Sequence, residues 1–157
     1  GLIAVHKLGF RSIQVNFNMI DQRAIESGLF GLAKKEKVGI IARTPLNFGF
    51  LSGKLHHVAF DPRDHRSTWP EAQLNRWGEA PRLFSFLGDG QLTPAQVALN
   101  FCLSFEAVST VIPGMLTSAE VEENVSAGDL KRFTEDELVR ARKIYDKNEF
   151  FERNKTS

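Results

Sequence analysis

The sequence lacks most of the features that would place it outside the ordinary globular proteins. It has one cysteine, a formal net charge of only +1 and no apolar run longer than a strand. One cysteine excludes an intramolecular disulfide and fits a reducing, cytoplasmic location. The small charge gives no field for attracting nucleic acid or an anionic membrane. Crossing a bilayer takes about 20 consecutive apolar residues, so a membrane-spanning protein is disfavoured as well.

Metal binding also has little support. His56 and His57 are adjacent, and neighbouring side chains point apart on any regular backbone, so we expect no metal site. Cys102 lies on an apolar helix face, where it is expected to be a small buried hydrophobe. The sole tyrosine, Tyr145, falls at helical spacing in the last amphipathic segment, where packing accounts for it.

Two similar units stand out from this background. Val38–Ala42 and Val108–Ile112 are apolar runs of strand length, and a proline follows each, Pro45 or Pro113. Each unit predicts a buried strand that ends in a loop. The second loop enters a helix through a Thr-x-x-Glu capping box, which places free backbone N–H groups just beyond the strand. Such N–H groups can bind a phosphate.

Strand and helix patterns alternate along the chain with short connections. This order favours parallel strands with crossover helices, and therefore an α/β fold. The first predicted strand has one apolar face and one polar face. At the other end of the chain, the polar tail from Asn148 to Ser157 is expected to fray. The predicted strands are 12–18, 38–43 and 108–112. The predicted helices are 1–8, 24–37, part of 55–92, one from Thr93, 118–127 and one from Thr134.

Three motifs in this order resemble the C-terminal half of an aldo-keto reductase. They are Gln14 with Asn16-Phe17-Asn18, then R-T-P-L-x-x-G-x-L-S-G-K from Arg43 to Lys54, then V-I-P-G followed by E-x-x-E-N. The resemblance implies that residues 1–157 form the C-terminal part of a (β/α)8 TIM-barrel domain, with strands six to eight of the barrel. Three strands cannot close a barrel, so we expect a complementary N-terminal half-barrel or self-association to cover the sheet.

The resemblance also implies an activity, the reduction of a small carbonyl compound to an alcohol with a nicotinamide cofactor. The family's catalytic tyrosine, lysine, aspartate and histidine lie on its first four strands, which this chain does not contain. We therefore name no catalytic residue here. The alternative is a non-catalytic nucleotide-binding or regulatory module, or a split-gene remnant, with the same barrel fold.

The cofactor-binding side of the family maps onto this chain. Gln14 would bind the nicotinamide carboxamide, because an amide both donates and accepts hydrogen bonds. Arg43 replaces the usual stacking aromatic, and it would favour the reduced cofactor or bind a substrate anion. The first predicted loop set is Thr44, Pro45, Leu46, Gly49, Ser52 and Lys54. The second is Gly114, Met115, Leu116, Thr117, Glu120, Glu123 and Asn124.

Simpler explanations compete with these assignments. Gln14 could be an exposed strand position, a tight turn alone would account for Pro45 and Gly49, and the last helix could have an ordinary solvated face. The family often has basic residues where this chain has Gly114 and Glu120, and Glu120 would repel a 2′-phosphate. The resemblance implies NADP(H) as the cofactor, and NAD(H) is possible because Gly114 and Glu120 replace the usual basic residues.

Overall fold

The computed structural model describes residues 1–56 and 58–151. The prediction that His56 and His57 form no metal site therefore lies partly outside the described residues. Three parallel strands form one sheet in the order β1-β2-β3: β1 is Ser12–Asn16, β2 is Gly39–Arg43 and β3 is Val108–Ile112. The prediction of a partial α/β barrel with three parallel strands is confirmed.

Seven α-helices precede, connect or follow these strands in the described residues. Helix α1 packs on β1, α3 on β2 and α5 on β3. No described helix combines the length and apolar character that a membrane crossing requires. The helices are α1 Leu2–Leu8, α2 Arg23–Glu26, α3 Leu29–Glu36, α4 Glu71–Leu83, α5 Pro94–Leu103, α6 Ser118–Ser126 and α7 Glu135–Lys147.

The core lies between the sheet and these helices. Ile40 and Ala42 of β2 are fully buried on the helix side, as is Phe17 just after β1. On the opposite side, Gln14 and Arg43 are exposed. The alternation of apolar and polar residues along β1 therefore does separate a packed face from an accessible one.

Two predicted boundaries were wrong. The helix over residues 24–37 is broken into α2 and α3, because Gly28 adopts a left-handed conformation with φ 75°. The strand over residues 12–18 ends at Asn16. The Asn18 side chain accepts a hydrogen bond from the Ile20 N–H (2.9 Å), and this local turn takes the chain out of the sheet.

The start of the C-terminal tail is packed, which corrects the expectation that it frays from Asn148. The indole Nε1–H of Trp77 donates to the carbonyl of Phe150 at 2.7 Å, and Phe150 is buried. The ring of Phe151 lies 5.3 Å from that of Trp77. Two aromatic residues within a polar segment explain the difference, because burying them against α4 offsets the cost of ordering the chain.

Two helical glycines provide a matched test of the packing between α4 and the loop that follows β2. A Cβ at Gly78 would lie 2.9 Å from the carbonyl oxygen of Leu55, whereas one at Gly31 would meet nothing within 4 Å. We expect Gly78→Ala to lower the free energy of unfolding by about 1–2 kcal/mol, because backbone must move. Gly31→Ala should raise it by about 0.5–1 kcal/mol. Urea denaturation measures both, and equal effects would contradict the close packing.

Candidate cofactor-binding cleft

An open cleft of about 920 Å³ lies beyond the C-terminal ends of the three strands. Each strand contributes to it: Gln14 from β1, Arg43 from β2 and Ile112 from β3. Loops at this end of a parallel sheet are where α/β proteins bind ligands. Fourteen of the fifteen residues predicted to bind cofactor line this cleft; Thr117 does not. Their roles in binding remain predictions.

The loop after β2 has an unusual backbone. Thr44, Asn47 and Phe48 all have positive φ angles, 53°, 44° and 58°, although none is glycine. Gly49 follows at φ 94°, and a Cβ there would lie 3.2 Å from a methyl group of Leu55. Non-glycine residues rarely adopt this conformation, and such strain is concentrated at functional sites.

Side chains hold this loop from both of its flanks. The amide of Asn18, which is buried after β1, donates to the carbonyl of Thr44 at 2.9 Å. The hydroxyl of Ser52 donates to the carbonyl of Gly49 at 2.7 Å. Ser52 thus stabilises the turn itself, and the turn is already formed in the free protein.

An ion pair links the two loops across the cleft. The Lys54 ammonium lies 3.4 Å from one carboxylate oxygen of Glu120, and the other oxygen accepts a hydrogen bond from the Leu116 N–H at 2.7 Å. The Leu116 N–H, assisted by Lys54, holds the pKa of Glu120 below its ordinary value. Glu120 is therefore charged at neutral pH.

The capping box predicted before α6 forms only in part. The Thr117 hydroxyl accepts from the Glu120 N–H at 3.2 Å, as expected. The Glu120 carboxylate reaches Leu116 rather than returning to the Thr117 N–H. Consequently one backbone N–H that was expected to be free for a phosphate already has an anionic partner within the chain. Thr117 itself acts as the helix cap, which explains its position outside the cleft.

The rest of the second loop is open. Leu116 is 95% exposed and Met115 is 44% exposed, and both line the cleft. Asn124 donates to the carbonyl of Gly114 at a long 3.5 Å. Within residues 1–56 and 58–151, no hydrogen bond or ion pair engages the guanidinium of Arg43. Arg43 is therefore a cation available to a ligand.

Six lining residues were not predicted from the sequence. Two of them, His65 and Arg66, come from the segment between β2 and α4, where the pattern Asp-Pro-Arg-Asp-His-Arg repeats an Asp-x-Arg unit. That repeat was the available signal, since an Asp two residues before an Arg favours a local hydrogen-bonded pair between the two side chains. The six residues are Phe48, Leu55, His65, Arg66, Ala95 and Ile112.

The residues that were set aside as structural do not line the cleft. Tyr145 is half-buried in α7 with its ring 6.4 Å from that of Phe150, and burial raises its pKa. Cys102 is fully buried, and burial raises the pKa of its thiol far above the ordinary value. No cluster of three metal-ligating side chains occurs in the part of the chain that the structure describes.

Comparison with known proteins gives matches over most of this chain. The model of the aldo/keto reductase family matches residues 4–146. An aldo-keto reductase from Strobilurus tenacellus is 30% identical over 160 residues, which cover 93% of this chain and 45% of that protein. An L-glyceraldehyde 3-phosphate reductase from Escherichia coli O157:H7 is 33% identical over 139 residues, covering 80% of this chain and 39% of that protein.

A solved structure shares the fold. The apo form of an aldo-keto reductase from Bacillus halodurans superposes with a TM-score of 0.60 at 22% identity, covering 85% of this chain and 43% of that structure. A probable voltage-gated potassium channel subunit beta from Arabidopsis thaliana is 28% identical over 125 residues, 74% of this chain and 38% of that protein. The chain therefore spans less than half the length of each of these relatives.

Proposed function

The chain belongs to the aldo/keto reductase family, and on that premise we propose that it is the cofactor-binding part of an NAD(P)H-dependent carbonyl reductase. The observation that carries this proposal is the convergence of fourteen residues, from three separate strand ends and their loops, on one cleft. When bound, the nicotinamide cofactor would supply the hydride that reduces the carbonyl carbon.

The chemistry of the cleft suits a dinucleotide. Gln14 offers a donor and an acceptor, as a carboxamide requires. Gly49 lets backbone approach a ligand where any side chain would meet Leu55, and Lys54 offers a cation to a diphosphate. Glu123 and Asn124 line the same cleft, and we assign them to the adenine.

The proton donor of the reaction is assigned to a part of the barrel outside this chain. A complementary half-barrel, or a second copy, would also cover the open face of the sheet on which Gln14 is exposed. The substrate would be a small carbonyl compound. Arg43, the available cation, would suit an anionic one, such as the phosphorylated aldehyde in the name of the Escherichia coli relative. A cytoplasmic location goes with this proposal.

Lys54 gives the first test. We expect Lys54→Ala to raise the dissociation constant for NADPH and for NADH about tenfold, because a charge-assisted contact to phosphate is lost. Lys35→Ala removes the same charge at an exposed position of α3 that does not line the cleft, and it should change neither constant. Quenching of Trp69, whose ring is 4.7 Å from the cleft residue Phe48, reports binding. The proposal fails if the unaltered protein binds neither dinucleotide.

The second candidate is a nucleotide-binding module without turnover, which the name of the Arabidopsis relative suggests. Both candidates predict binding, so binding cannot separate them. A turnover assay with the complete barrel separates them. It measures, by absorbance, the oxidation of the reduced dinucleotide in the presence of each of a panel of aldehydes. Turnover supports the reductase, and tight binding with no turnover supports the module.

A further inference from the structure

The segment between β2 and α4 contains two copies of the same small motif. In Asp61-Pro62-Arg63, the Arg63 side chain folds back onto Asp61 through Nε and Nη2, both at 3.1 Å. In Asp64-His65-Arg66, Arg66 does the same to Asp64, at 3.0 and 2.6 Å. In each copy the aspartate also accepts from the backbone N–H of its arginine. The two local folds are thus nearly identical.

The copies differ in what the arginine reaches next. The Arg63 side chain is 91% exposed, and within the described residues its guanidinium forms hydrogen bonds and an ion pair only with Asp61. The Arg66 side chain is 27% exposed and lines the cleft. Its Nη1 donates to the carbonyl of Phe48 at 3.2 Å, and its guanidinium lies 4.5 Å over the ring of Phe60. Of the two arginines, only Arg66 is hydrogen-bonded to the loop after β2 in the described residues.

The carbonyl that Arg66 engages belongs to the strained part of that loop. Phe48 is left-handed, and the next residue, Gly49, has φ 94°. A Cβ at Gly49 would lie 3.8 Å from Nη1 of Arg66, so the guanidinium lies directly against the turn. At the other end of the loop, Asn18 engages the carbonyl of left-handed Thr44 in the same manner. A strained backbone persists only where surrounding groups fix it.

We propose that Arg66, held by Asp64, is a positioning residue that fixes the left-handed Phe48–Gly49 turn in the shape in which it lines the cleft. A turn that is ordered before the ligand arrives lowers the entropic cost of binding. This inference rests on the proposed function for its ligand, a nicotinamide dinucleotide, but the positioning itself is a property of the free protein. The hydrogen bonds from Arg66 lower the pKa of Asp64 to about 2, so the pair stays ionised at neutral pH.

Hydrogen exchange of the free protein tests the positioning directly. The N–H groups of Gly49 and Leu51 both donate to the carbonyl of Leu46 and report the integrity of the turn. We expect Arg66→Ala to speed their exchange about tenfold and to raise the dissociation constant for NADH and NADPH by a similar factor. Arg63→Ala, the matched control, should change neither, since Arg63 does not contact the turn.

Two further variants separate positioning from simple charge and from misfolding. Asp64→Asn keeps the Arg66 charge but weakens the fork, and Arg66→Lys keeps the charge but loses the planar geometry. We expect both to speed exchange at Gly49 and Leu51 while far-ultraviolet circular dichroism stays unchanged. If Arg66→Lys or Asp64→Asn weakens binding while exchange stays unaltered, the Asp64–Arg66 pair affects the ligand without fixing the turn, and the inference is overturned.

The outcomes also keep this inference apart from the proposed function. Faster exchange in the Arg66 variants, with no dinucleotide bound by any form of the protein, would support the positioning and reject the cofactor site. Equal acceleration by Arg63→Ala would show a general loosening of the segment and would reject the positioning. Unchanged exchange in Arg66→Ala would reject it too.

Discussion

Phe17→Ala is expected to lower the free energy of unfolding by about 3–5 kcal/mol, the largest decrease in stability predicted for this chain. Phe17 is fully buried directly after β1. Its ring lies 4.6 Å from Phe30, 5.1 Å from Phe105 and 5.7 Å from Phe101. Removing the ring leaves a cavity among three other rings, because helices packed on a sheet collapse only partly into it.

The backbone of Phe17 makes this packing relevant to the cleft. Its N–H donates to the carbonyl of Arg43 at 3.2 Å, and its carbonyl accepts from the Cys102 thiol at 3.4 Å. The aromatic cluster therefore holds the ends of β1 and β2 together at the point where the cleft begins. We expect loss of the ring to loosen the placement of Gln14 and Arg43 as well as the core.

Urea denaturation followed by tryptophan fluorescence measures this loss. Phe10→Ala is the control, because Phe10 is 54% exposed and its removal should change the free energy of unfolding by no more than about 0.5 kcal/mol. Phe17→Leu should fall between the two. A loss below about 1 kcal/mol for Phe17→Ala would contradict the central role of this cluster.

The strands and the loops that follow them could be predicted because they depend on local patterns. Alternation predicted the two faces of β1, and a proline marked the end of each later strand. The family resemblance assigned Gln14, Arg43 and Gly114 to one site, and the structure brings these three residues to one cleft. The Thr93 capping box also formed as expected, with Gln96 accepting from the Thr93 N–H at 3.0 Å. Such signals involve residues a few positions apart.

Long-range contacts explain what the sequence did not reveal. Arg66 reaches the carbonyl of Phe48, eighteen residues earlier, and no periodic pattern relates an arginine in a loop to that partner. Phe150 is buried near α4, and Trp77 of that helix, 73 residues away, donates to its carbonyl. The break at Gly28 was missed because a glycine within a helical pattern is usually tolerated. In each case a tertiary partner or a backbone conformation decided the outcome.

Glu120→Lys is expected to shift the preference between the dinucleotides toward NADPH by about 100-fold. The carboxylate of Glu120 lines the cleft, forms an ion pair with Lys54 at 3.4 Å and accepts a hydrogen bond from the Leu116 N–H. It would repel a 2′-phosphate in this cleft, and it competes with that phosphate for both partners. We therefore expect the unaltered protein to bind NADPH no more tightly than NADH.

Two substitutions at Glu120 measure the effect of its charge in two steps. Glu120→Gln removes the charge and should favour NADPH about tenfold, since each unit of charge at close range contributes roughly that factor in a partly screened site. Glu120→Lys reverses the charge and should contribute the same factor again. NADH has no 2′-phosphate, so its dissociation constant should change much less in either variant.

Glu122→Lys is the matched control for this prediction. Glu122 is exposed on α6 two residues away and does not line the cleft, so the same change in net charge should leave the ratio of the two dissociation constants within about threefold. Titration of both dinucleotides at one ionic strength gives the ratios. If Glu122→Lys shifts them as much as Glu120→Lys, the preference reflects overall charge and Glu120 does not set the specificity. If neither variant shifts them, the 2′-phosphate lies elsewhere.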